Sequence, residues 1–149
     1  MKRFTPIDPA THLLEAANQK SGFIGLIGVV NSGKASLLSQ LADDLATAGR
    51  KVLFANPTSP TEATSCMHEF MTVDFDVMVM KEFRDISNRA VVELLDVCKQ
   101  KLVVAGLHPG VEGHIEKFID ADGSHFQVDA FVLELARPDD LSPHVLGTA

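Results

Sequence analysis

Short runs of apolar residues alternate along this chain with stretches whose apolar positions recur every three or four residues. The clearest run, GFIGLIG at 22–28, is bounded by glycines and predicts a strand buried on both faces. Residues 9–18, PATHLLEAAN, predict a short helix opened by a proline. From about Gly33 to Ala48, the residues Leu38, Leu41, Leu45 and Ala48 fall at helical spacing, and Gly49 offers a stop. KVLFA at 51–55 predicts a second strand, closed by Asn56 and Pro57. Further along, the pattern predicts a helix over 62–72, a strand over 75–80, a helix over 86–98, a strand over 101–107 and a helix over 111–120. The next stretch reads two ways. Val128, Phe131, Val132 and Leu135 fit a helix, whereas Phe131, Leu133 and Leu135 alternate like a strand. Strands separated by helices of this length predict an α/β fold with a mainly parallel sheet covered on both faces. One domain over 1–137 and a tail over 138–149 are expected.

Composition narrows the class. The chain has 149 residues, of which 46% are apolar, enough for a substantial core in a single domain. Thirteen Lys and Arg against 20 Asp and Glu leave a net charge of −7, which argues against a nucleic-acid backbone as partner. All nine aromatics are Phe, so a stacking platform for single strands is poorly supplied as well. Cys66 and Cys98 lie outside any C-x-x-C spacing and within apolar stretches, the pattern of buried free thiols. The sequence shows neither a signal-peptide pattern nor an uninterrupted membrane-length apolar run. A soluble cytoplasmic protein, peripheral to a membrane at most, is the expectation.

The chemistry is concentrated directly after the first buried strand. Gly28-Val29-Val30-Asn31-Ser32-Gly33-Lys34-Ala35-Ser36 has the form G-x-x-x-x-G-K followed by Ala and Ser. Glycines at these positions let the backbone curl so that its N–H groups face phosphate oxygens. The helix that starts there adds its positive end. Lys34 is the candidate for the β- and γ-phosphates, and Gly28, Asn31, Ser32, Gly33, Ala35 and Ser36 complete the expected ATP contact. Position 35 is where a Ser or Thr hydroxyl would ligate Mg²⁺, and here it is alanine. Ser36 is the candidate metal ligand in its place, but one residue along a helix turns a side chain by about 100°.

The order of segments after the loop resembles the PilT/GspE group, the hexameric ATPases of type IV pili and type II secretion. FDVMVMKEFRD at 75–85 is similar to the family's Walker B element, which ends in G-E-x-R-D. KLVVAGLHPGVEGHIEKFID at 101–120 looks like its His box, and the approach over 9–28 is similar to the helix and strand before the family's phosphate loop. The resemblance covers 9–135 and implies a three-layer RecA-like P-loop NTPase core that takes ATP and Mg²⁺. It places Glu82 where the family's glutamate polarises the attacking water and His108 near the γ-phosphate, with Arg84 and Asp85 on the R-D pair. It also implies a heterologous ring contact, with a second copy, a related motor subunit or the pilus or secretion platform as protein partner.

Departures from the family fall on the hydrolytic parts. The acidic element after the second strand is Ala55-Asn56-Pro57 here, and the segment leading to the Walker B strand is shorter than the family's. Lys81 replaces a small glycine and stands ready to pair with Glu82, while Lys101 opens the His-box strand. The expected function is therefore nucleotide binding with weak or lost hydrolysis, by a shortened core that needs a partner. Two alternatives stand beside it: a non-catalytic module that regulates such a motor, and a small P-loop kinase, which would lack an Arg-rich lid.

Overall fold

The computed structural model describes residues 2–29, 32–84, 87–119 and 128–135. Asn31, Asp85 and the 138–149 tail singled out above lie outside these residues. Six strands, β1 (Lys2–Phe4), β2 (Gly22–Ile27), β3 (Val52–Ala55), β4 (Val77–Met80), β5 (Leu102–Leu107) and β6 (Ala130–Glu134), form one sheet in the order β1-β6-β2-β5-β4-β3. Every neighbouring pair is parallel. The helices are α1 (Pro9–Ala16), α2 (Lys34–Thr47), α3 (Pro60–Thr72), α4 (Asn88–Cys98) and α5 (Val111–Ile119).

Strand alternation divides the core into two layers. Ile24 and Leu26 of β2, Val77 and Val79 of β4, and Leu102 and Val104 of β5 pack with Leu13 of α1 and Leu38, Leu41 and Leu45 of α2. The opposite side chains, among them Phe23, Met78, Met80, Val103 and Leu107, pack with Phe70 of α3, Leu94 of α4 and Ile115 of α5. A sheet covered on both faces explains why its central strands read as near-continuous apolar runs.

The element ends follow local chemistry. Helix α3 starts at Pro60, earlier than the apolar pattern predicts, because Ser59 Oγ accepts the Glu62 N–H at 3.2 Å. Glu62 accepts in return from the Thr58 N–H and hydroxyl at 2.7 and 2.8 Å, which holds its carboxyl below the usual range. Strand β4 begins at Val77 rather than 75, since Phe75 and Asp76 are spent on turn hydrogen bonds to Val73 O and Lys51 O. The ambiguous stretch is a strand: pairing with β2 buries Val132 and Leu133. Strand β1, three exposed residues without apolar alternation, gives the sequence nothing to read, yet it pairs with β6.

No helix among the described residues is long and apolar enough to cross a membrane. Both cysteines are free. Burial pushes the Cys98 thiol far up, and it raises half-buried Cys66 as well, with Glu69 and Glu62 adding to the effect. In native protein, iodoacetamide followed by mass spectrometry is expected to label Cys66 while Cys98 stays unmodified until urea unfolds the chain. Equal native labelling of the two would contradict this packing.

Candidate functional site

Three elements deliver side chains to the carboxyl ends of adjacent central strands. Strand β2 leads through Gly28 into the loop that starts α2, β5 leads directly to His108, and β4 leads through Lys81 to Glu82. Because β5 lies between β2 and β4, His108 stands in the middle of this row.

Helix α2 opens without a side-chain cap. Its first flanking residue, Gly33, sits at φ 88°, a left-handed conformation that a side chain would strain. By contrast, α1, α3 and α4 are each capped by a side chain, from Asp8, Ser59 and Ser87. The amides at the start of α2 are thus left for a ligand or water. Gly28 is required for a different reason: a Cβ there would collide with Ser32 Oγ. That hydroxyl is buried and has no hydrogen-bond partner among the described residues.

Lys34 is 8% exposed, and so is Glu82. The Lys34 ammonium lies 2.9 Å from Glu82 Oε2 and donates to Oε1 at 3.2 Å and to the Leu107 carbonyl at 3.2 Å. His108 Nε2 lies 3.3 Å from Glu82 Oε1, on a side chain 45% exposed. The cation on Glu82 is therefore Lys34, from the phosphate loop, and not the sequence neighbour Lys81. Together with Val29, Ser32, Gly33, Ala35, Ser36 and Arg84, these three side chains line a cleft of about 380 Å³. All the predicted site residues that the structure describes, except buried Gly28 beneath Ser32, line this cleft.

One contributor is not evident from the motifs. A Cβ on Gly106 of β5 would collide with the Lys81 carbonyl oxygen, and Phe83 N–H donates to Gly106 O at 2.8 Å. The bare backbone of Gly106 therefore lets the chain leaving β4 cross close to β5, which carries Glu82 toward Lys34. An isolated glycine inside an apolar strand is the signal that would have found it.

The cleft fits a phosphate group. It offers uncapped amides, a buried ammonium, a Ser32 hydroxyl with no partner among the described residues and a glycine that keeps that hydroxyl's space open. A divalent metal is less well served. Ala35 has no donor, Ser36 is exposed on α2, Glu82 is committed to Lys34, and no group of three His, Cys, Asp or Glu among the described residues could hold an ion.

No family model and no curated protein matches the chain. Among solved structures it is similar to a DNA replication initiation factor, at 14% identity and a TM-score of 0.60 over 93% of this chain and 47% of that one. It is also similar to the ATPase DotB of Legionella pneumophila, at 17% and 0.55 over 72% of this chain and 37% of that chain. The pilus retraction motor PilT with bound ADP gives 20% and 0.55 over 70% of this chain and 35% of its own. The chain thus spans less than half the length of each of these structures. At such identities the likeness defines the fold: an α/β, three-layer RecA-like P-loop NTPase core with a parallel sheet.

Gly106→Ala forces the Lys81 carbonyl and the Glu82 loop outward, and it is expected to lower the unfolding free energy by about 2 kcal/mol. Urea unfolding checks this, and a variant as stable as the parent would contradict the close crossing.

Proposed function

We propose that the chain is a nucleotide-binding protein related to the pilus and type II secretion ATPases, with weak hydrolysis. The observation that carries this reading is the convergence of Lys34, Glu82 and His108 in one cleft at the mouth of the phosphate loop. The fold neighbours support it, and the PilT structure holds ADP.

In this reading the amides at the start of α2, the Ser32 hydroxyl and Lys34 hold the phosphates of ATP. Each contact is a donor aimed at negative oxygen. To reach a phosphate, the Lys34 ammonium turns from Glu82, whose carboxylate keeps His108 as a partner. Glu82, once free of Lys34, is the group that orients a water and accepts its proton. Arg84, on the same rim of the cleft, adds positive charge toward the phosphates. Mg²⁺, where present, would supply charge neutralisation of the phosphate oxygens. Ser36 is the only hydroxyl on the first turn of α2 that would meet it.

A second reading follows from one observation. Ala35 removes the metal-ligating hydroxyl, which favours a non-catalytic nucleotide sensor that docks on a related motor subunit or on the pilus or secretion platform. In either reading the partners are nucleotide and protein, at a cytoplasmic location and at most peripheral to a membrane. The net charge of −7 supports leaving nucleic acid out.

Calorimetric titration with ATP, with and without Mg²⁺, tests the nucleotide reading. Wild type is expected to bind in both conditions, and Lys34→Ala to lose about 2 kcal/mol, a factor of about 30. Absence of binding by the wild type would remove the proposal. Steady turnover separates the two readings. Slow hydrolysis abolished in Glu82→Gln supports the enzyme, and none at all supports the sensor.

A further inference from the structure

The edge strand β1 reaches into the chemistry through a buried carboxylate. Arg3 Nη2 donates to Glu112 Oε1 at 3.0 Å, and Arg3 Nε lies 3.7 Å from Glu134 Oε2 at the end of β6. Glu112, in the first turn of α5, is 9% exposed, so its charge needs a partner. Arg3 supplies it. The same carboxylate accepts the Gly110 N–H with both oxygens, at 2.9 and 3.1 Å.

Gly110 belongs to the tight turn that carries His108. Val111 N–H donates to His108 O at 3.1 Å, Pro109 locks its own φ, and Gly110 sits at φ 101°. The turn leaves the His108 backbone little freedom, and Glu112 is the side chain that accepts its Gly110 amide. A continuous chain of contacts thus runs from Arg3 through Glu112 and Gly110 to His108, and on to Glu82 and Lys34.

We propose that Arg3 and Glu112 are positioning residues for His108: Arg3 holds Glu112 in place, and Glu112 fixes the turn that aims the imidazole at Glu82. Loss of Arg3 leaves a buried, uncompensated carboxylate, which turns toward water and releases the Gly110 amide. His108 then no longer faces Glu82, although the sheet and core are untouched. The consequence for ligand affinity rests on the nucleotide reading above, whereas the geometric claim does not.

Proton–carbon NMR of the His108 ring, assigned by its loss in His108→Asn, tests the geometry in the whole chain without ligand. In Arg3→Gln and in Glu112→Gln the His108 signal is expected to move, while those of exposed His12 and His68 stay in place. Arg3→Lys, which restores the charge, is expected to return it toward the wild-type position. Calorimetry with ATP on the same proteins should show affinity reduced about tenfold in Arg3→Gln, the scale on which loss of a group that orients a ligand-binding side chain acts. An unmoved His108 signal in both Gln variants overturns the positioning role, whether or not ATP binds. A moved signal in a chain whose wild type binds no ATP sustains that role and overturns the nucleotide reading alone.

Discussion

The candidate site depends on one buried ion pair. Lys34 and Glu82 are separated by 48 positions in sequence, arise from different strand ends and are almost wholly withdrawn from water. Each charge is tolerable there only because the other is present. Everything around them serves that meeting. Gly33 starts α2 so that Lys34 points into the cleft, Gly106 lets the Glu82 loop cross β5, and the Leu107 carbonyl also accepts from the ammonium. His108 Nε2 meets Oε1, the same oxygen that accepts from Lys34. A phosphate that takes Lys34 must compete with Glu82 for it.

The sheet order makes this geometry possible. With β5 between β2 and β4, the loop lysine and the carboxylate face each other across the mouth of a third strand. A strand ending in Leu107-His108 can then offer both a backbone acceptor and an imidazole to the same pair. On the opposite flank, β1 and β6 bring Arg3 and Glu134 to the start of α5, so that the edge of the sheet also bears on the site.

Much of this was legible in the sequence. The apolar runs at 22–28 and 102–107 specify two strands, because burial on both faces leaves no polar interruptions, and the stripe through Leu38, Leu41 and Leu45 specifies a helix by its spacing. The glycines of the motif from Gly28 to Ser36 mark a phosphate loop, and resemblance alone associates Glu82 and His108 with it. What escaped was set by tertiary contact. Nothing local marks Lys2–Phe4 as a strand, since its partner is more than a hundred residues away. Residues 128–135 carried both periods, and pairing with β2 decided between them. Proximity in sequence suggests Lys81 as the partner of Glu82, but successive residues leaving a strand point to opposite sides, and Lys34 arrives from across the sheet.

A double-mutant cycle on Lys34 and Glu82 tests the central claim most directly. Unfolding free energies of wild type, Lys34→Met, Glu82→Gln and the double variant are measured by urea at neutral pH. Each single change is expected to cost about 3 kcal/mol by stranding a buried charge, and the double variant to cost far less than the sum. Additive losses would mean that the two charges do not depend on each other, and would contradict the account.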